Sequence, residues 1–423
     1  MERKAAVPRG QFSILVVLAG ILVSKRLSSW SRQDTVVSAP TLGLEEQEVE
    51  EVLRKHRMVF IGGQHRGGTT LLWTLLRQAP NVSGFNQETA CKRRQYFGCE
   101  RSAFVPCSCM EYEGLFLQSL LPQWDLDGVG VGRYGLDPST HLTEDSPLVL
   151  DMPTRARSRA TLFNEWGVLW DFNQSVLLEK SPSNVRISRF IGALWGGVAR
   201  EVRLVVITRH PLAVALALES FTTTRGHSKG IVTQASPMDE GGGDQSEETR
   251  REVPLTLYHR VAHWLSIEET FHADRLVSAA PPSYLFRLED LGCDPQAELT
   301  KLAGWLDLTD SDLSKLSPEV QQDPNDKYAK AYEQRLQTIK GREDHYRLVI
   351  DFQDRVRKVH VQEAFEAYDF DQISISQGAC VPRFPSEAHL VAEDRQAQEN
   401  EVTVVRGRDR VAGNNEDMPD EFW

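Results

Sequence analysis

The sequence has few cysteines and methionines, fewer basic than acidic residues, and no internal repeat. Its 423 residues include 6 cysteines and carry a formal net charge of −12. The acidic excess argues against general nucleic-acid binding but leaves room for a local basic pocket. With 40% hydrophobic and 26% charged residues, the composition is that of a globular protein of one large or two ordinary domains.

The N-terminal apolar run, residues 12–23, is shorter than the ~20 residues that span a bilayer. Residues 24–30 can extend it to the membrane interface if Lys25 and Arg26 snorkel. We interpret residues 1–30 as a cytoplasmic tail and an uncleaved signal anchor, which predicts a single-pass protein with a lumenal domain. A cleaved signal peptide and a disordered or organelle-targeting leader are the alternatives.

The cysteines are compatible with an oxidising lumen. Four of them crowd one segment, and two lie far from it: Cys91, Cys99, Cys107 and Cys109, then Cys293 and Cys380. Their spacing matches no standard zinc site and no histidine is interleaved. We therefore predict disulfide bonds, whose pairing the sequence leaves open.

Composition divides the rest of the chain into three parts. Residues 31–56, first rich in Ser, Thr, Pro and Gly and then acidic, are predicted to form a stem. A folded domain is predicted over residues 57–372, and the polar residues 373–423 are predicted to be a disordered tail.

Two regions of the folded domain lack a periodic pattern. Residues 90–160 are interpreted as an irregular insertion, and the Gly-rich residues 222–252 as a mobile surface loop. The triplets that begin at Asn81 and Asn173 are potential glycosylation acceptors.

A short apolar strand, residues 58–61, precedes a glycine-rich loop and an apolar helix. One face of the helix consists of Leu71, Leu72, Leu75 and Leu76. The glycines let the backbone come close to a ligand, because no Cβ blocks the approach. The N–H groups at the helix start then favour a phosphate or sulfate in the loop.

The loop departs from a phosphate-binding loop in one respect. From Gly63 to Gly68 the spacing is nearly that of such loops, which continue with Lys and then Ser or Thr. Here those positions hold Thr69 and Thr70, so the Lys is missing. The nearest cation is Arg66, inside the loop.

Strand, turn and helix recur along the chain. Further strands are predicted at residues 175–178, 203–208 and 284–288, and helices at 185–194, 213–219, 257–276, 296–306 and 326–368. Such alternation builds a parallel sheet that binds ligands at the carboxyl ends of its strands. The predicted fold class is α/β, a P-loop NTPase-like parallel sheet flanked by helices.

Four separated blocks of the sequence point to one family. Gln64-His-Arg-Gly-Gly-Thr-Thr-Leu-Leu72 resembles the 5′-phosphosulfate loop of the sulfotransferases, in particular of the membrane-bound Golgi type, with some similarity to tyrosylprotein and heparan-type enzymes. Leu204-Val-Val-Ile-Thr-Arg-His-Pro-Leu-Ala-Val-Ala215 resembles their 3′-phosphate strand and turn. Tyr284-Leu-Phe-Arg-Leu-Glu-Asp-Leu-Gly-Cys-Asp-Pro295 and Glu179-Lys-Ser-Pro182 are similar to two further blocks. The resemblance covers about residues 57–372 and implies the sulfotransferase fold.

The resemblance implies a co-substrate, 3′-phosphoadenosine 5′-phosphosulfate, and no metal. The residues implied in holding its 5′-phosphosulfate are Arg66, Gly67, Gly68, Thr69, Thr70 and Leu71. Arg209 is implied at the 3′-phosphate, and Lys180 beside the bridging region between phosphate and sulfate. One departure concerns Ala217, which stands where the family usually has Ser; Ser220 lies one turn further along.

An acceptor hydroxyl needs a general base during attack. Glu88 follows the loop helix at nearly the place where tyrosylprotein sulfotransferases carry their base, and we predict it as the base here. His65 and Glu179 are the other contenders. A late loop over the nucleotide is predicted from Asn325, Lys327 and Tyr328.

The resemblance also implies partners and a location. The acceptor is expected to be a carbohydrate or glycoprotein, or else a protein tyrosine, and a homodimer is compatible with the family. The expected location is the Golgi membrane, type II, with secretion after signal cleavage as the alternative. The rival functions are a P-loop kinase or NTPase and a non-catalytic sulfotransferase-like Golgi protein.

Overall fold

The central element of the protein is a parallel β-sheet. The computed structural model describes residues 39–94, 113–121, 135, 138–224, 229–231, 252–254, 256–308 and 325–338. Its strands are β1 (Arg57–Gly63), β2 (Val82–Gly84), β3 (Val176–Lys180), β4 (Glu201–Thr208), β5 (Lys229–Ile231), β6 (Glu252–Pro254) and β7 (Ser283–Arg287). Five of them form the sheet in the order β2-β3-β1-β4-β7, all parallel, and β5 and β6 form a separate antiparallel pair. The predicted α/β fold class is confirmed.

Helices surround the sheet. They are α1 (Glu46–Leu53), α2 (Thr69–Leu76), α3 (Gln87–Arg94), α4 (Met152–Gly167), α5 (Ser188–Trp195), α6 (Pro211–Thr224), α7 (Leu257–Asp274), α8 (Leu288–Cys293), α9 (Pro295–Trp305) and α10 (Asp326–Leu336). Short 3₁₀ turns occur at Gly114–Phe116, Pro138–Thr140 and Pro182–Ile187. The predicted helix at 185–194 is thus a 3₁₀ turn followed by α5.

Both faces of the sheet are buried, as the apolar runs of its strands require. On β1, Met58 and Phe60 contribute to one core cluster, whereas Val59 and Ile61 contribute to another. Successive side chains of a strand point to opposite faces, so these clusters lie on the two sides of the sheet. Helices α1, α4 and α5 cover the first side, and α2, α8 and α9 cover the second. A third cluster joins α6, α7 and α10.

Helix α4 corrects the interpretation of residues 90–160 as an irregular insertion over the last part of that range, from Met152 onward. Its start follows a local rule, because the Asp151 side chain accepts from Thr154 N at 2.8 Å. Its pattern is obscured by Arg159, which is buried although charged. The guanidinium of Arg159 donates to Glu50 Oε1 at 2.8 Å and to Leu194 O at 2.7 Å, so tertiary contacts make this position part of the core.

Residues 46–53 of the predicted stem form α1, which packs into the folded domain. Val49 and Leu53 are fully buried in the first core cluster. The capping-box geometry at Glu45 and Glu48 begins the helix. The folded part therefore begins inside the range that the sequence analysis gave to the stem.

Several predictions concern residues outside the described ranges: the anchor over residues 1–30, the tail over residues 373–423, and four of the cysteines. The two cysteines that the structure describes, Cys91 and Cys293, are both disulfide-bonded. Within the described ranges, no helix has both the length and the apolar composition that a membrane crossing needs.

Candidate functional site

The carboxyl ends of the parallel strands bring separated segments of the chain to one edge of the sheet. In the strand register, Ile61 of β1 lies beside Lys180 of β3, and Gly63 lies beside Ile207 of β4. The loop after β1, the Glu-Lys-Ser-Pro turn after β3 and the Arg-His-Pro turn after β4 therefore meet there.

The loop after β1 needs glycine at two positions. Gly63 has φ of 141°, and a Cβ there would come within 2.1 Å of the carbonyl oxygen of Ile207. Gly68 has φ of 106° and is the N-cap of α2 without a side-chain cap. The first N–H groups of α2, from Thr69 onward, have no acceptor within the helix and are directed towards the loop. Such a helix start attracts an anion.

Arg66 and Arg209 meet at the tip of this loop. Arg66 has φ of 65°, an uncommon conformation for a residue other than glycine. The Nη1 group of Arg209 donates to the backbone oxygen of Arg66 at 3.1 Å. The turn after β4 therefore supports the conformation of the loop after β1, and it brings a second guanidinium next to the exposed side chain of Arg66.

Lys180, at the end of β3, reaches the same loop from the other neighbouring strand. Its ammonium group donates to Thr70 Oγ1 at 3.3 Å and to Glu113 Oε1 at 2.9 Å. Lys180 is 1% exposed and Glu113 is 7% exposed, so this is a buried ion pair. A buried cation held against the first turn of α2 is suited to stabilise negative charge in the loop.

The neighbours of Lys180 hold the segment that carries Glu113. Glu179 Oε1 accepts from Gly114 N at 2.8 Å, and Ser181 Oγ accepts from Leu115 N at 3.1 Å. Glu179 Oε2 accepts from Asn184 Nδ2 at 2.5 Å. Burial raises the pKa of Glu179 to about 7, against the opposing effect of these hydrogen bonds. Both oxygens of Glu179 serve as acceptors for the protein itself, which is a structural role.

Arg209 is largely buried among polar and aromatic groups. Its Nε donates to Asn325 Oδ1 at 2.8 Å, and its guanidinium carbon lies 4.9 Å from the ring centroid of Tyr328. Glu289 Oε1 accepts from His210 N and from Asn325 Nδ2, each at 2.8 Å. Burial lowers the pKa of Arg209 from its usual range and Glu289 opposes this effect, so the guanidinium stays charged.

Glu88 and His65, the two remaining candidates for the general base, have different surroundings. Glu88, in the first turn of α3, is exposed and accepts from Lys92 Nζ at 2.7 Å; this hydrogen bond lowers the pKa of its carboxyl group. His65 is half-buried in the loop. Burial lowers the pKa of His65 to about 4, with Glu113 opposing and Lys180 and Arg66 acting in the same direction, so its imidazole is neutral at pH 7.

Ala217 and Ser220 lie on α6 in different surroundings. Ala217 is buried in the cluster between α6 and α7, whereas Ser220 is exposed.

In the described part of the chain, no group of three or more His, Cys, Asp or Glu residues is arranged to hold a metal ion.

Two acidic residues of this edge escaped the sequence analysis. Glu113 lies in the region without periodic pattern, and nothing local marks it; only its contact with Lys180 reveals it. Glu289 belongs to the block Leu288-Glu-Asp-Leu291, but the sequence did not show that it anchors Asn325. Of the predicted late loop, Asn325 and Tyr328 contact Arg209, and Lys327 and Tyr328 lie in the first turn of α10.

No family model matches the chain, and no curated protein matches it significantly. Similar solved structures include the sulfotransferase domain of the Synechococcus PCC 7002 olefin synthase, at 19% identity and a TM-score of 0.30 over 64% of this chain and 82% of that one. Sulfotransferase STF9 from Mycobacterium avium is similar at 15% identity and a TM-score of 0.35 over 64% of this chain and 69% of that one. The sulfotransferase domain from the curacin biosynthetic pathway is similar at 15% identity and a TM-score of 0.29 over 63% of this chain and 80% of that one. The fold assignment rests on the direction and order of the five strands.

Proposed function

We propose that this chain is a sulfotransferase that uses 3′-phosphoadenosine 5′-phosphosulfate as its donor. One observation carries the proposal: Lys180 and Arg209, from the ends of two neighbouring strands, reach a glycine loop that contains Arg66 and has Thr69 in place of the P-loop Lys. A metal-dependent kinase loop uses that Lys on the phosphates of its nucleotide. Sulfuryl transfer needs instead a cradle of N–H groups and cations around a phosphosulfate, because the leaving phosphate gains charge.

In the proposed reaction, the acceptor oxygen attacks the sulfur and the bond from sulfur to the bridging oxygen breaks. The electron pair of that bond leaves with the 5′-phosphate, and the acceptor proton goes to a base. Lys180, held beside Thr70, would stabilise the charge on the bridging oxygen. The N–H groups of Gly68 to Leu71 and the Arg66 side chain would hold the phosphosulfate, since the N–H of Gly67 is already bonded to Gln64 O. Arg209 would hold the 3′-phosphate.

We further propose a hydroxyl of a glycan or glycoprotein as the acceptor, with a protein tyrosine as the alternative, and the Golgi lumen as the location. The disulfide-bonded Cys91 and Cys293 support an oxidising compartment. Radiolabelled donor offered with a panel of glycans and of tyrosine peptides would separate the two acceptor classes.

The experiment that tests the proposal is calorimetric titration of the full chain with 3′-phosphoadenosine 5′-phosphate. We expect a micromolar Kd, and about tenfold weaker binding in Arg66→Ala, because a hydrogen bond to a charged group contributes ~1.5–3 kcal/mol. Arg54→Ala is the matched control, since Arg54 is exposed and pairs with Glu50 on α1. An absence of binding at micromolar concentration in the wild type would refute the proposal.

Glu88 is our candidate for the general base. It follows β2 at the same edge of the sheet, and its exposed, ionised carboxylate is accessible to an acceptor that arrives from solvent. Glu88→Gln is expected to lower kcat by about 100-fold or more while the donor KM changes little, since general bases contribute ~10²–10⁴-fold. The measurement is steady-state transfer to the acceptor found in the panel.

Two further variants show whether Glu88 or His65 is the base. Lys92→Met removes the partner of Glu88 but keeps the carboxylate, so it should retain most of the activity. If Glu88→Gln stays active and His65→Asn loses the same factor, the neutral imidazole in the loop is the base and Glu88 is not.

A further inference from the structure

A single helix, α7, contacts both of the turns that would bind the nucleotide. The indole Nε1 of Trp264 donates to the backbone oxygen of Arg209, at the turn after β4, at 2.9 Å. The backbone oxygen of Trp264 accepts from Gln64 Nε2, in the loop after β1, at 3.1 Å. Gln64 is fully buried and Trp264 is 1% exposed. One residue of α7 is therefore bonded to both turns.

Glu268, one helical turn after Trp264, also forms hydrogen bonds to both segments. Its Oε1 accepts from Thr208 Oγ1, the last residue of β4, at 2.8 Å. The same oxygen accepts from Gln64 Nε2 at 3.4 Å. Burial raises the pKa of the Glu268 carboxyl to about 7, and His272 Nε2 lies 3.9 Å from its other oxygen.

These bonds also reach the loop backbone. Gln64 O accepts from Gly67 N at 2.9 Å, so the residue that α7 holds by its side chain closes the tight turn of the loop. When a buried polar group loses its hydrogen-bond partner, the folded state loses more free energy than when an exposed group does, because water cannot replace the lost bond. The network is therefore a stiff link between two turns that are distant in sequence.

We propose that Trp264 and Glu268 are positioning residues that set the spacing between the loop and Arg209. The inference rests on the proposed function, in which the loop holds the 5′-phosphosulfate and Arg209 holds the 3′-phosphate. A nucleotide with both phosphates gains binding free energy from the loop and from Arg209 together only when the spacing between these two sites already matches the ligand. The link therefore selects nucleotides with phosphates at both the 3′ and 5′ positions over nucleotides with a 5′-phosphate alone.

The test compares two ligands on the full chain by calorimetry: 3′-phosphoadenosine 5′-phosphate and adenosine 5′-phosphate. Trp264→Phe removes the donor to Arg209 and keeps an aromatic ring. We expect it to weaken binding of the bisphosphate about tenfold, as the loss of one well-placed hydrogen bond does, and to leave the affinity for the monophosphate unchanged. Trp195→Phe is the matched control, since Trp195 is fully buried in the core beside Phe60 and Trp166.

Thr208→Val provides a second, nearly isosteric variant, which removes the hydroxyl that binds Glu268. It should also lower the ratio of the affinity for the bisphosphate to the affinity for the monophosphate, by about threefold or more. If the ratio of bisphosphate to monophosphate affinity stays at the wild-type value in both variants, the inference is overturned. This includes the case in which both affinities fall by the same factor, which indicates a general loss of structure. Wild-type protein that binds neither nucleotide would instead refute the proposed function.

Discussion

Arg209→Ala is expected to weaken binding of 3′-phosphoadenosine 5′-phosphate by about 100-fold, or ~2.7 kcal/mol. Charge-assisted hydrogen bonds contribute ~1.5–3 kcal/mol each, and a guanidinium offers a phosphate two parallel bonds. The substitution also removes the donor to Arg66 O, so the loop after β1 loses support for its left-handed residue. Calorimetric titration of the full chain measures the change.

Two variants separate binding from stability in this experiment. Arg209→Lys keeps the charge but loses the planar fork, so its affinity should lie between those of wild type and Arg209→Ala. Arg203→Ala removes an arginine from the other end of β4, where it pairs with Glu201 and Asp307. If Arg203→Ala reduces the affinity as much as Arg209→Ala, then the loss comes from a weakened sheet and Arg209 is not a ligand of the nucleotide.

Lys180→Met is expected to lower kcat by about 100- to 1,000-fold with little change in the KM for the donor, in which the bridging oxygen has not yet gained charge. Removal of one preorganised donor from a site of developing charge typically has this effect, because the interaction is strongest in the transition state. The ammonium group of Lys180 lies in contact with Thr70 Oγ1 in the first turn of α2. Initial rates measured over a range of donor concentrations give both kcat and KM and so check both halves of the expectation.

The single variant has a side effect that a second substitution corrects. Without Lys180, the buried carboxylate of Glu113 loses its cation, and such losses destabilise proteins by ~3–5 kcal/mol. The double variant Lys180→Met with Glu113→Gln should therefore recover most of the lost Tm, while its kcat stays as low as that of Lys180→Met. Recovery of activity together with Tm would show that Lys180 only stabilises the fold.

Four of the five strands in the parallel sheet were predictable because their signal is local, whereas β2 was not predicted. Residues 58–61 and 203–208 are largely apolar runs with β-branched residues, residues 284–288 are a largely apolar run with two aromatic residues, and the structure has β1, β4 and β7 there. The loop glycines were likewise readable from spacing, and the positive φ angles of Gly63 and Gly68 explain why those positions hold glycine. Local geometry depends on residues that are neighbours in sequence, so a single sequence contains it.

Helix α4 escaped prediction for the opposite reason. Arg155 and Arg159 interrupt the apolar pattern of its first half, and the buried state of Arg159 depends on Glu50 and Leu194, far away in the chain. The pattern of side chains alone thus indicated an irregular segment. Only the assembled core supplies the partners that let a charged residue be buried.

The sequence by itself determined the α/β class, the glycine loop with Arg66 inside it, and the positions of Lys180 and Arg209 at strand ends. The tertiary structure decided what those residues touch: Glu113 beside Lys180, Arg66 O beneath Arg209, and α7 between the two turns. The physical reason is separation. Periodicity and turn chemistry act over a few residues, whereas these contacts join segments that become neighbours only after the parallel strands take the order β2-β3-β1-β4-β7.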